Sequence, residues 1–188
     1  MEPSAAFRGQ YRTVAKLFLI VGLPGAGKTT LAKALAAERR ALRLTPDEWV
    51  IALFGGRDDV RRWVLEARLL SLAFEALRLD TSIVLDFGFW GRDERSALRW
   101  LARAAGVECE VVYVAVDRAT QLVRIAHRQA TTPDQTFPMT EAEVDTWRAQ
   151  FQAPDQAELG GGLLDDPPAG WPSWPAWAAD HWPSLAHH

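Results

Sequence analysis

A chain of 188 residues with 48% hydrophobic and 24% charged residues, 13 Gly, 11 Pro and a formal net charge of −3 has an ordinary globular composition, which excludes disordered, collagen-like and coiled-coil readings. The length suits one domain, with a core over about residues 16–153 and an arm over 154–188, rather than two independent cores. Charge is uneven: residues 1–129 carry 20 Arg/Lys against 15 Asp/Glu, whereas 130–188 carry one Arg against nine acids. A basic body suits phosphate-bearing ligands, and an acidic second half argues against broad, unspecific nucleic-acid binding.

No apolar run approaches the roughly 20 residues that span a bilayer, and the N-terminal stretch MEPSAAFRGQYRTVAK lacks the apolar core of a secretory signal. The single cysteine, Cys109, lies in an apolar run and reads as a reduced core thiol. The expectation is a cytoplasmic protein with no membrane partner. The terminal His187-His188 pair is either native or a tag remnant.

In chain order, LFLIV (17–21) is a continuous apolar run that ends at Gly22, the mark of a strand buried on both faces. TTLAKALAAERR follows as a helix, with Leu31, Ala34 and Leu35 on one stripe and arginines at its C-terminal end. ALRL (41–44) is a second strand, and a helix starts at Pro46. Val60, Trp63, Val64, Ala67, Leu70, Phe74 and Leu77 repeat at helical spacing along a long amphipathic helix. SIVLDF (82–87) is a buried strand, and DERSALRWLARAAG is a helix that closes on Gly106. EVVYVAV (110–116) is another strand, ATQLVRIAHRQ a helix, and ATTPDQTFPM a loop. TEAEVDTWRAQF opens with a capping box from Thr140 to Glu143.

Alternating strands and helices imply an α/β fold with a central parallel sheet and right-handed crossovers. After Pro154, Trp171, Trp174, Trp177 and Trp182 alternate with proline. Such a segment reads as an irregular arm that packs its indoles on the domain, or alternatively as a docking patch or an aromatic wall for a substrate.

GLPGAGKTT carries the chemistry. Gly22, Leu23, Pro24, Gly25, Ala26, Gly27, Lys28, Thr29 and Thr30 satisfy G-x-x-x-x-G-K-[ST] directly after a buried strand and at the start of a helix. Backbone N–H groups of such a loop surround phosphate oxygens, the lysine reaches the β- and γ-phosphates of ATP, and Thr29 would ligate Mg²⁺. Only Lys16, Lys28 and Lys33 are lysines, so the match owes nothing to lysine-rich composition.

Asp86 ends a buried strand and is followed by Phe87 rather than by a water-positioning Glu, which favours transfer to a bound hydroxyl over ATP-driven mechanics. It is placed to hold Mg²⁺, to touch the acceptor, or to cap a neighbouring loop. Asp47 lies just past the second strand as candidate base for the acceptor hydroxyl. The surrounding Thr45-Pro46-Asp47-Glu48 also fits a helix start, with Thr45 as N-cap and Glu48 closing a capping box, which leaves Asp47 free. Arg124 and Arg128, four apart before the Pro/Thr-rich loop, read as lid arginines or as a solvated helix end. Arg118 is less well placed, and His127 is ordinary. Arg92 and Arg95, beside Phe89 and Trp90, either grip an acceptor or form a charged helix start.

GLPGAGKTT, the Asp47 region, the Asp86 strand with RDER beyond it, and VDRATQLVRIAHR together resemble the small P-loop kinases. That group holds zeta toxins, chloramphenicol phosphotransferases and polynucleotide 5′-kinase domains, AAA-type ATP-binding kinase-like proteins, over about residues 17–151. The resemblance implies a three-layer P-loop NTPase fold, Mg-ATP as donor and a hydroxyl acceptor. It also implies that Lys28, Thr29, Asp47 and Arg124 or Arg128 take the phosphate, metal, proton and lid roles. A small-molecule acceptor is the expected partner. The alternatives are a kinase of RNA or DNA ends, which needs a basic channel to Asp47, and a non-catalytic ATP-binding regulator.

Overall fold

The computed structural model describes residues 15–55 and 58–185. The N-terminal stretch before residue 15 and His187-His188 lie outside the described residues. Strands β1 (Lys16–Val21), β2 (Leu42–Leu44), β3 (Ile83–Gly88) and β4 (Glu108–Tyr113) form one parallel sheet in the order β2-β3-β1-β4. Helices α1 (Lys28–Arg39), α2 (Pro46–Phe54), α3 (Asp59–Arg78), α4 (Arg92–Ala104), α5 (Arg118–Thr131) and α6 (Glu141–Gln150) connect and flank the strands.

β1 is the centre of the sheet because both of its faces are apolar. Leu17, Leu19 and Val21 pack on one side with Leu70, Phe74 and Leu98, while Phe18 and Ile20 pack on the other with Ala32, Leu35 and Ala36 of α1. Helices on both faces make three layers. Since all strands are parallel, their carboxyl ends share one edge, where open α/β sheets bind ligands. The loop after β1, the start of α2 after β2, and the Asp86–Gly88 end of β3 all emerge there.

Three expectations shift. β4 spans 108–113 rather than 110–116, because its partner β1 ends at Val21, paired with Tyr113, and leaves later residues without a neighbouring strand. On α1 the inward face is Ala32, Leu35 and Ala36, and Leu31 is exposed. On α3 only the later part of the stripe is buried. Val60 and Val64 are exposed, because the first turns lie against α2 while the later turns reach the sheet. Capping follows chemistry at Thr140, whose hydroxyl and Glu143 close the box. At Thr45 no side-chain cap bond forms, and Glu48 turns instead to Arg43 and Lys33.

The arm winds partly into helices: α7 (Gln156–Leu159) and α8 (Trp174–His181), the latter capped by Ser173. Its indoles pack on the domain as expected, with Trp174, Trp177 and Trp182 buried against α4 and α3. Arg92 bridges Asp155 at 3.1 Å and Asp165 at 2.8 Å, and Arg99 donates to the Gly162 carbonyl at 2.6 Å. Cys109 is half-buried on β4, and burial pushes its thiol up to about 12, so it stays a neutral, unreactive group. Among the described residues no helix is long and apolar enough to cross a membrane.

Candidate active site

The loop between β1 and α1 is built for close approach. Gly22 adopts φ +153, and a Cβ there would stand 2.6 Å from the Val114 carbonyl oxygen, so no side chain fits. Gly27 takes the left-handed N-cap position of α1 at φ 105, which turns the chain so that Lys28 opens the helix. The first helical N–H groups therefore face the loop's own hollow, which is the physical basis of phosphate binding at a helix start.

Lys28 threads back into this loop and donates from Nζ to the Leu23 carbonyl at 3.0 Å. Burial pushes its ammonium below the ordinary lysine range, while the charges of Asp86 and Asp47 oppose that shift. Asp86 is 3% exposed at the end of β3, and burial raises its carboxyl pKa. The nearby Thr29 hydroxyl and the Lys28 ammonium oppose that rise, yet Oδ2 has no hydrogen-bond partner, with Arg43 Nη1 standing 3.8 Å away. A buried, unsatisfied carboxylate oxygen beside a threonine hydroxyl is a donor set that suits a hard cation. Among the described residues no group of three His, Cys, Asp or Glu could hold a metal ion. Magnesium at such sites takes one or two side chains and completes its shell with substrate phosphates and water, so Thr29 and Asp86 fit it.

Helix α5 braces the loop from outside. Gln121, fully buried, donates to the Pro24 carbonyl at 2.9 Å, and Arg124 Nη1 donates to the Ala26 carbonyl at 2.9 Å. Arg148 of α6 in turn donates to Gln121 Oε1 at 2.8 Å. Arg118 is exposed and paired with Asp145 and Glu141, tying α5 to α6.

A cavity of about 1420 Å³ opens at this edge, above the roughly 300–1,000 Å³ of a typical single-ligand pocket and roomy enough for a nucleotide with a second molecule. Gly25 to Thr30 line one end with Arg124, Arg128 and His127. Asp47, Arg62, Glu66, Phe89, Trp90 and Glu94 line the other, and Trp182 reaches in from the arm. Asp47 is 58% exposed and ion-paired with Arg62. Its charge acts on both Lys28 and Glu66, so it stands within electrostatic range of the phosphate loop.

Of the expected residues, Pro24 to Thr30 of the loop, Asp47, Arg124 and Arg128 meet in this cavity, while Gly22 and Leu23 do not line it and Asp86 lies buried close to Lys28 and Thr29. Arg92 and Arg95 do not. Arg92 faces the arm, and Arg95 is fully buried, bonded to Glu158 and to the Phe89 and Trp90 carbonyls, so both are corrected from acceptor grips to structural cations. Arg62, Glu66 and Glu94 escaped the sequence reading. Glu66 and Arg62 lie four apart on α3, a spacing that was open to inspection but carries no chemical signature.

Burial pushes the Glu66 carboxyl from its ordinary 4.5 up to about 7, with Glu94 and Asp47 adding to the shift and Arg62 opposing it. The folded state binds this proton more tightly than the unfolded chain, so the gain is complete below 4.5 and is lost as pH rises through about 7. Across that window the wild type is expected to lose about 2–3 kcal/mol relative to Glu66→Gln in paired denaturant titrations. Parallel curves would contradict the shift.

A parallel sheet whose central strand runs into a G-x-x-x-x-G-K-T loop defines a P-loop NTPase fold. The chain belongs to AAA_33, an AAA domain family, whose model matches residues 17–154. A structure of a protein assigned as a kinase from Chloroflexus aurantiacus j-10-fl superposes with a TM-score of 0.61 at 23% identity, covering 80% of this chain and 86% of that one. A gluconokinase from Sinorhizobium meliloti 1021 gives 0.55 at 16% identity, covering 93% of each chain. The Pnkp1/Rnl/Hen1 RNA repair complex gives 0.57 at 15% identity over 76% of this chain and 45% of that one. At these identities the likeness is one of fold. No curated protein matches the chain.

Proposed function

We propose that this protein is an ATP-dependent phosphotransferase that moves the γ-phosphoryl group of ATP to a hydroxyl of a small molecule, with Asp47 as the proton acceptor. The acceptor oxygen bonds to the γ-phosphorus, the bond from that phosphorus to the β–γ bridging oxygen breaks, and ADP departs with the electron pair. The hydroxyl proton passes to the Asp47 carboxylate. Support comes chiefly from one observation: Asp47 lines the same cavity as Gly25 to Thr30, just past β2 at the sheet edge where that loop emerges, so a hydroxyl beside it would face the transferring group. Arg62, paired with Asp47, holds the carboxylate in position at the cavity wall.

Lys28, the loop N–H groups, Arg124 and Arg128 would neutralise the phosphoryl oxygens. Thr29 and Asp86 would hold Mg²⁺, which when bound spreads charge from the β- and γ-phosphates. Phe87 directly after Asp86 supports transfer to a bound hydroxyl rather than to water.

Asp47→Asn is expected to retain ATP affinity and to lose about 10²–10⁴-fold in turnover. Incubating wild type and variant with Mg-ATP and a metabolite extract, then searching by mass spectrometry for products that gain one phosphoryl group, names the acceptor. Full turnover in the variant would remove Asp47 from the mechanism. ATP binding with no product from small molecules or nucleic-acid ends would favour the regulator.

A further inference from the structure

The acceptor end of the cavity is unusual in its charge. Carboxylates from three elements converge on it: Asp47 of α2, Glu66 of α3 and Glu94 of α4. The cations beside them are already engaged, Arg62 by Asp47 and by Glu66 at 2.8 Å, and Lys33 by Glu48 at 3.6 Å. A sugar acid, a nucleotide or a nucleic-acid end would bring its own negative charge here and meet repulsion at close range, where partial burial weakens solvent screening.

The walls add a second, independent feature. Trp90 is partly exposed and lines the cavity, backed by the buried Phe89, stacked on Phe87, and by the buried Trp182, packed on Trp177 and His181. Ring faces attract cations and also pack carbon skeletons. Trp182 comes from the arm, which Arg95 and Arg92 anchor through Glu158, Asp155 and Asp165, so this wall is held in place. Glu94 Oε2 accepts from the Gly91 N–H at 2.8 Å while its Oε1 stands 3.8 Å from His181 Nε2, and Glu66 Oε1 pairs with Arg62 at 2.8 Å, so each carboxylate is held in place by one oxygen.

We propose, taking the phosphotransferase reading as given, that the acceptor is a small hydroxyl compound carrying an ammonium group. Glu66 and Glu94 hold the ammonium beside the Trp90 indole while the hydroxyl meets Asp47. Burial and the neighbouring carboxylates already resist ionisation of Glu66, and a bound cation relieves that conflict.

The test compares ethanolamine, glucosamine and an aminocyclitol, each against its N-acetyl counterpart, with gluconate and an oligonucleotide bearing a free hydroxyl end. Phosphoryl transfer from Mg-ATP is measured for all, and binding is followed by tryptophan fluorescence with a non-hydrolysable ATP analogue present. At least one amine is expected to exceed its N-acetyl partner in kcat/KM by about tenfold or more, because a desolvated charge pair is lost on acetylation. In Glu66→Gln/Glu94→Gln that ratio is expected to fall to within about twofold. A melting curve and ATP-analogue binding check that this variant is folded, and the wild-type ratio alone already tests the proposal.

Gluconate, the oligonucleotide or an N-acetyl compound as the best acceptor would overturn it, and so would failure of every amine to bind. Amine binding that the double variant loses, without phosphoryl transfer, would keep the ammonium subsite and overturn the phosphotransferase reading instead.

Discussion

Lys28→Ala is expected to lose phosphoryl transfer by on the order of 10³-fold while the chain stays folded. The ammonium is held inside the phosphate hollow, donating to the Leu23 carbonyl 3.0 Å away. Burial depresses its pKa, so the group is poorly solvated before any phosphate arrives. An incoming triphosphate supplies the anionic partner that the loop itself does not, and charge that develops on the phosphoryl oxygens meets a cation needing no reorganisation. Lys28→Arg should not rescue. A Cβ at Gly22 or Gly88 would stand 3.6 Å from the lysine stem, so the stem runs in a slot with little width for a guanidinium fork. Product formation with the acceptor found by mass spectrometry and binding of a fluorescent ATP analogue together check this. Wild-type turnover in Lys28→Ala would reject the phosphate-loop reading of the site.

What the sequence revealed follows the range of the interactions. The loop was legible because its parts are consecutive and its context is a strand followed by a helix, both local signals. Asp47 was legible because parallel strands deliver their ends to one edge, so a carboxylate just past β2 had to emerge near the loop. Arg62 and Glu66 were hidden because their importance comes from α3 lying against α2 at the cavity, a tertiary fact. The apolar stripe of α3 even misdirects attention, since Val60 and Val64 share its period yet are exposed. Trp182 was visible only as one of several tryptophans, and nothing in the Trp/Pro pattern says which indole reaches the cavity.

The Thr45–Glu48 segment shows how a local rule yields to a longer contact. A threonine three residues before a glutamate predicts a closed capping box. Glu48 instead meets Arg43 and Lys33, so Pro46 at the helix start carries more of the turn and α2 begins without a side-chain cap. The consequence for the site is favourable. Arg43 stays near Asp86, and Asp47 is left to pair with Arg62 at the cavity wall.

Arg95→Ala should be strongly destabilising, costing about 3–5 kcal/mol. Its guanidinium is fully buried and donates to Glu158 Oε1 at 2.8 Å and Oε2 at 2.9 Å, a two-pronged geometry across 63 residues of sequence. The remaining nitrogen donates to the Phe89 and Trp90 carbonyls at 3.1 and 3.3 Å. Truncation strands a carboxylate that is 3% exposed and also frees a strained turn, since Phe89 sits at φ 37. For a domain of this size the loss corresponds to a melting temperature lower by roughly 6–20 °C. The same turn carries Phe89 and Trp90 into the cavity, so acceptor KM should rise even below the melting transition. Arg95→Met with Glu158→Leu should recover much of the stability, because removing both charges removes the unpaired one. It should not recover KM, since the two carbonyls still lack their donor. A shift under about 1 kcal/mol for Arg95→Ala in denaturant titrations would show that the arm is held by its tryptophans alone.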